Sequence, residues 1–215
     1  MPKTNPFDHY TDEYEQWFEE NPLLFFSELD ALKKVIPEKQ KGVEIGVGSG
    51  FFASKLGISE GVEPSESMRK KAIDRGIRAV CGVAEKLPYA SESIDFVLMI
   101  TVICFVDDPD LSFQEAYRVL NDKGSFIIAF IDKESPLGRM YEKNKQQSVF
   151  YKEAAFYNTS QVLDGLKQNG FEPAKIYQTL YGDLTKITKP QKPIEGYGQG
   201  SFVVIKANKK VKNEN

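Results

Sequence analysis

Apolar residues fall along this chain in two alternating rhythms, preceded by a helical stretch. Phe7, Tyr10, Tyr14, Trp17 and Phe18 recur at helical spacing. Pro22 separates them from a second predicted helix over Leu23–Val35, which Pro37 stops. Short apolar runs then alternate with helical patterns. Strands are predicted at Val43–Val47, Ile58–Glu63, Arg78–Cys81 and Ile94–Thr101, then at Ser125–Ile131, Phe171–Tyr181 and Ser201–Lys206. Helices are predicted over Phe51–Leu56, from Ser65 as N-cap through Ala72, over Leu111–Leu120, and from a Thr159 or Ser160 cap to Lys167, where Asn169-Gly170 ends it. The nearly unbroken apolar run Ile94–Thr101 suits a central strand covered on both faces. Asn121–Gly124 reads as a turn. Asp183–Gly200, rich in Pro, Gly and Lys, reads as a long loop, which compact domains keep to cover a site or leave mobile. Regular strand–helix alternation implies an α/β, Rossmann-like, doubly wound and mostly parallel sheet, here of seven strands, beneath an N-terminal helical cap. Residues 1–36 form the cap, 37–207 the body of the same domain, and 208–215 a solvated Lys/Asn tail.

Composition narrows the function. The chain has 215 residues, 41% hydrophobic and 27% charged, which suffices for one domain with a full core. A net charge of −3 gives no basic footprint for a nucleic acid. No apolar run approaches the ~20 residues of a membrane span, and Met1–Pro6 lacks the apolar core of a signal peptide. Cys81 and Cys104, placed in apolar strand-like surroundings, read as reduced thiols, so a cytoplasmic location is expected. With His9 the only histidine, neither a His/Cys metal cluster nor a serine relay is expected, except a relay built on His9.

The chemistry gathers after the first predicted strand, in Gly46-Val47-Gly48-Ser49-Gly50. Glycines at alternate positions let the backbone turn sharply and approach a ligand, where α/β proteins hold nucleotide cofactors. A dinucleotide fingerprint G-x-G-x-x-G would need glycine at 51, where the chain has Phe51. Glu44 precedes the first glycine by two residues. Glu63 ends the second strand, where a carboxylate can accept hydrogen bonds from both ribose hydroxyls. Gly82-Val83-Ala84-Glu85-Lys86-Leu87-Pro88 follows the third strand, and Asp95, read as structural, starts the fourth.

With these features in this order, the chain resembles the class I S-adenosylmethionine-dependent methyltransferases of the type 11 branch. The resemblance is strong from Val43 to Ile131. Thr101–Pro109 and Lys145–Tyr151 also look like a little-studied microbial subgroup. The resemblance implies S-adenosyl-L-methionine as cofactor. Gly46, Gly48 and Gly50 would pass close to its methionine and ribose, and Glu44 would orient its amino group. Glu63 would bind the ribose, with Pro64, Ser65 and Met68 near adenine or ribose. Val83, Ala84 and Glu85 would border the adenine. Relatives often carry Asp where this chain has Val83, so a backbone carbonyl or Glu85 would take the adenine amino group, or the contact is absent. Thr101 would sit near the transferred methyl, and Tyr14 on the cap would contact the cofactor.

Taken singly, Met68 and the cap aromatics also suit plain core packing, and Glu44 a surface carboxylate. Cys104 stands where relatives often carry histidine and reads as an inert packed thiol. His9, Tyr10, Tyr14, Trp17, Tyr151 and Tyr157 are candidates for the substrate wall. His9 is a possible general base but equally a surface residue beside Asp8. In-line displacement from a sulfonium needs no diagnostic catalytic residue, so none is singled out. The implied partner is a small-molecule acceptor, unidentified; the oligomeric state is open. The rival readings are a non-catalytic S-adenosylmethionine-binding regulator and, less favoured, an NAD(P)-dependent oxidoreductase.

Overall fold

The computed structural model describes residues 3–38 and 40–210. Three helices come first: α1 (Asn5–His9), α2 (Thr11–Glu20) and α3 (Pro22–Lys33). Two helices were expected here. Tyr10 leaves helical geometry at φ −118°, ψ 38° and breaks the first of them. Pro22 opens α3 as anticipated, since its ring fixes a helical φ and its missing N–H is not needed in a first turn.

Strand and helix then alternate through β1 (Gly42–Ile45), α4 (Phe51–Leu56), β2 (Glu60–Val62), α5 (Glu66–Asp74), β3 (Arg78–Val80), β4 (Ile94–Ile100), α6 (Pro109–Val119) and β5 (Leu120–Ile131). After them come α7 (Pro136–Asn144), α8 (Thr159–Gln168), β6 (Phe171–Thr179), β7 (Ile194–Glu195) and β8 (Phe202–Lys209). The strand order is β3-β2-β1-β4-β5-β8-β6-β7. The first five strands pair in parallel, and β8 lies antiparallel between β5 and β6. The sheet thus has eight strands among the described residues, one more than expected. The addition is β7, a two-residue edge strand against β6 inside the segment read as loop.

β4 is buried on both faces, and its side chains alternate between two cores. Val97 and Met99 pack with Phe113 of α6 and Leu166 of α8. Phe96, Leu98 and Ile100 pack on the other face with Leu29 of α3 and Phe52 of α4.

Local chemistry sets the helix starts. Ser65 caps α5, its Oγ accepting from Met68 N–H at 3.2 Å. Asp108 caps α6 through Leu111 N–H at 3.0 Å. Asn158, not Thr159 or Ser160, caps α8, and it forms a reciprocal box with Gln161. Thr159 is instead held by the Asp132 carboxylate. α7 was not foreseen, although Ser135 caps it, Pro136 opens it, and Leu137, Met140 and Tyr141 stand at helical spacing. The expected turn at 121–124 is absorbed into β5, whose pairing with β4 shifts register there. The tail also differs from expectation. β8 runs to Lys209, whose buried ammonium donates to Leu120 C=O at 2.7 Å and lies over the Tyr117 ring. Residues 211–215 lie outside the described residues. Among those described, no helix is long and apolar enough to cross a membrane.

The turn after β1 is tightly built. Gly46 has φ +65°, and a Cβ there would meet Val102 Cγ2 at 2.4 Å. Gly46→Ala should therefore cost about 2 kcal/mol or more from left-handed strain plus the clash. A urea midpoint unchanged from wild type would contradict this account of the turn.

Candidate active site

A cavity of ≈ 1170 Å³ opens at the C-terminal ends of β1, β2, β3 and β4, beneath α1 and α2. Parallel α/β sheets bind ligands at this edge, where the order of strands reverses. Of the residues singled out from sequence, Gly46, Gly48, Glu63, Pro64, Met68, Val83, Ala84, Glu85, Thr101 and Tyr14 line it.

Glu44, Gly50 and Ser65 do not line it. Gly50 backs onto Ala72 and Ile77 of the core and turns the chain into α4 at φ +84°. Ser65 is fully buried; besides capping α5, its hydroxyl donates to Asp8 at 2.6 Å. Their observed places are structural. Glu44 lies inside the sheet edge, and its Oε2 finds no hydrogen-bond partner among the described residues. Burial, and then the charge of Glu63, push its carboxyl well above the usual range.

Glu63 is the best held of these acids. Its Oε2 accepts from Gly48 N–H and its Oε1 from Ser65 N–H, each at 2.9 Å. Burial pushes its pKa up to about 7, although both N–H donors favour the charged form. Each oxygen retains acceptor capacity. Glu85 takes Asp107 N–H at 2.7 Å and Asp108 N–H at 3.3 Å, so it ties its turn to the loop before α6.

Tyr14 hangs over the glycine turn, its hydroxyl 3.4 Å from where a Cβ of residue 48 would stand. Phe7, Phe18 and Phe150 meet its ring edge-on. Burial and the carboxylates of Glu44, Glu63 and Glu28 raise its phenol pKa. Phe51, at the position where a dinucleotide loop would have glycine, stacks on Phe18 at 4.4 Å between centroids. The cap is fastened to α5 by Asp8–Ser65 and by Lys71 with Asp12 and Glu15 at 2.6 and 2.7 Å. Arg75 adds a bond to Glu15 at 2.5 Å and one to Ser49 C=O at 2.7 Å.

Trp17 and Tyr151 line the cavity as well, whereas His9 and Tyr10 are exposed and Tyr157 borders a small side pocket. His9 does not face the cavity; its Nδ1 lies 2.8 Å from Asn5 C=O. Cys104 packs against Ala154 and Phe156, and burial pushes its thiol up to about 12. It is the inert thiol expected. Cys81 is exposed, contrary to its apolar sequence context. Asp95 is structural: its carboxylate accepts from Lys41 N–H at 2.8 Å and from Asn121 at 2.6 Å.

Sequence reasoning missed most of one wall of the cavity, having offered for it only the connection from Asp183, read as covering a site or mobile. Glu28, Tyr141, Leu180 and residues 182–185 all face it. The long connection after β6 is pinned to α3, because Gln191 N–H donates to Ser27 Oγ at 2.8 Å. Glu28 did carry a signal: it shares a helical face with Phe25, Leu29 and Leu32, so a charge stands within a core stripe. Burial pushes its carboxyl up to about 8. Thr101 and Leu180, both lining the cavity, hold φ of 53° and 60°. Such left-handed conformations cost energy in non-glycine residues and concentrate at functional sites.

Glu28, Glu44 and Glu63 all bind protons more tightly folded than unfolded. The folded state therefore carries extra protons between about pH 4.5 and 8 and loses stability as pH rises through that window. The ligand-free protein should melt at a lower temperature at pH 8 than at pH 5, and Glu28→Gln should flatten part of that fall. A melting temperature that rises from pH 5 to 8 would be the opposite result.

A methyltransferase domain family profile matches residues 43–128. A Thermotoga maritima crystal structure, described as an S-adenosylmethionine-dependent methyltransferase and possible histamine N-methyltransferase, is 48% identical over 96% of this chain and 100% of that one, with a TM-score of 0.93. An uncharacterized protein of Methanocaldococcus jannaschii is 45% identical over 95% of this chain and 99% of its own length. An uncharacterized protein of Mycobacterium tuberculosis is 32% identical over 84% of this chain, which spans only 65% of that longer protein. The chain belongs to the S-adenosylmethionine-dependent methyltransferase family.

Proposed function

We propose that this protein transfers a methyl group from S-adenosylmethionine to a small-molecule acceptor by in-line displacement. The observation that carries the reading is Glu63, a buried carboxylate fixed by two backbone N–H groups at the lip of the glycine turn. A carboxylate so fixed has lone pairs left for the two hydroxyls of a ribose. The residues fit the cofactor in two further ways. The open backbone at Gly48 admits the methionine part beneath Tyr14, and Glu44, behind the cavity wall with its Oε2 unpartnered, would meet its ammonium through a bridging water. Val83 and Ala84 would border the adenine, with Glu85 holding their turn against the loop before α6. Pro64 and Met68 complete the nucleoside wall.

When bound, S-adenosylmethionine supplies an electrophilic methyl group on a sulfonium that leaves readily. The protein's own task is then alignment. Thr101 is held in its strained conformation by its N–H bond to Ala129 C=O at 2.7 Å, which fixes the end of β4 against the cavity. The aromatic cap of Phe7, Tyr14 and Phe18 excludes water from the reacting centre. The Thermotoga relative's description names histamine, so amines stand among the candidate acceptors.

Isothermal titration should show S-adenosylhomocysteine binding at micromolar concentrations. Glu63→Ala should weaken it at least tenfold, in line with about 1.5–3 kcal/mol for hydrogen bonds to a charged group. Binding of NADH in place of S-adenosylhomocysteine would refute the proposal. Unchanged affinity in Glu63→Ala would remove that residue from the site.

A further inference from the structure

Glu28 differs from the other carboxylates around the cavity, which are held by partners or, like Glu13, exposed. Glu63 and Glu85 are each held by two backbone N–H groups. Asp108 caps α6, and Asp183 pairs with Lys186 at 2.9 Å. Glu28 is 5% exposed, faces the cavity, and has no hydrogen-bond or ion-pair partner among the described residues. Burial alone acts on its ionisation. A buried carboxyl left without a partner is costly, and a fold gains nothing from it unless something else supplies the partner.

We propose that Glu28 binds a cationic nitrogen of the methyl acceptor, so that the substrate is a small amine and not a carboxylic acid or a neutral alcohol; this rests on the methyl-transfer reading. The electrostatics around Glu28 favour that sign of charge. Lys3 is the one basic residue lining the cavity among the described residues, and it lies 3.9 Å from Asp107. Against it stand its partner Asp107 and Glu13, Glu85, Asp108 and Asp183, while Glu28 and Glu63 gain charge when a cation binds. A cavity walled by one sign of charge attracts the opposite sign and repels its own, so an anionic acceptor is opposed.

The neighbours of Glu28 suit an ammonium in a second way. Burial raises the phenols of Tyr14, Tyr141 and Tyr151, and the charge of Glu28 adds to the effect in each. The rings of Tyr141 and Tyr151 stack at 4.9 Å between centroids. A carboxylate desolvated among aromatic rings offers an ammonium a stronger ion pair than it would make in water. The cationic partner would also draw Glu28 into its charged form, because an opposite charge at contact lowers a carboxyl pKa.

The test is a calorimetric comparison of matched probes on protein loaded with S-adenosylhomocysteine. Phenethylamine, 2-phenylethanol and 3-phenylpropanoate share a phenylalkyl frame and differ chiefly in the charge of the polar end, and histamine adds a second amine, on an imidazole ring. Either amine should bind about tenfold or more tighter than the alcohol, with the carboxylate weakest. Glu28→Gln, a neutral isostere, should abolish that preference while S-adenosylhomocysteine affinity and the circular dichroism spectrum stay as in wild type. The order of the probes on wild-type protein is informative without any variant. Equal binding of amine and alcohol, failure of both amines to bind, or a preference that survives Glu28→Gln would each overturn the proposal. Failure of S-adenosylhomocysteine itself to bind would instead overturn the methyl-transfer reading, and the amine-to-alcohol ratio on unloaded protein would then decide for or against Glu28.

Discussion

One carboxylate joins the parts of this site. Glu63 accepts N–H groups from Gly48, in the turn after β1, and from Ser65, at the start of α5. Two segments from successive strand ends are thereby held at one point, and the cavity edge takes its shape from them. Within the glycine turn only Val47 packs into the core, so Gly48 takes its brace from the neighbouring strand end. Ser65 then caps α5 and takes Asp8 of the N-terminal cap as a further partner. A chain of hydrogen bonds thus runs from the central sheet to the roof of the cavity.

The acids of the site form a second theme. Glu28, Glu44 and Glu63 are all buried, yet no arginine or lysine of the described residues pairs with their carboxylates. The cations nearby, Lys71 and Arg75, are engaged with Asp12 and Glu15 on the outside of the cap. Burial raises all three pKa values; at Glu63 the charge of Arg69, whose guanidinium donates to the Glu63 main-chain carbonyl at 2.9 Å, offsets only part of it. Burial also leaves a cavity whose electrostatics suit cationic ligands. The same acids that weaken the empty protein at high pH would strengthen a complex with positively charged groups, which is a common trade between stability and function.

Much of the body of the domain was legible in the sequence because its signals are local. The run Phe96–Ile100 is apolar throughout and forms most of the doubly covered β4. Phe51–Leu56 begins directly after the glycines and was placed without error. The failures were equally physical. The capping box at Asn158 was missed by one residue, because Thr159 and Ser160 are also good caps and tertiary contact with Asp132 decided between them. Tyr10 breaks the first helix in a stretch whose apolar spacing runs on unbroken. Lys209 read as a tail residue, but pairing along β8 buries its stem and leaves its ammonium on a main-chain carbonyl.

The sequence by itself determined the strand–turn–helix order, the conformation-permissive glycines and the acid at the end of β2, since neighbours along the chain specify these. Only the tertiary structure decided what surrounds the ligand. Ser27 and Gln191, 164 positions apart, bond to each other and bring the long connection after β6 against α3. That contact builds the wall beside Glu28. A helical wheel shows Glu28 on an apolar face, but it cannot show that the face opens into a cavity there. Which buried acid meets a ligand and which meets a backbone N–H depends on elements far apart in the chain, and no local pattern encodes that.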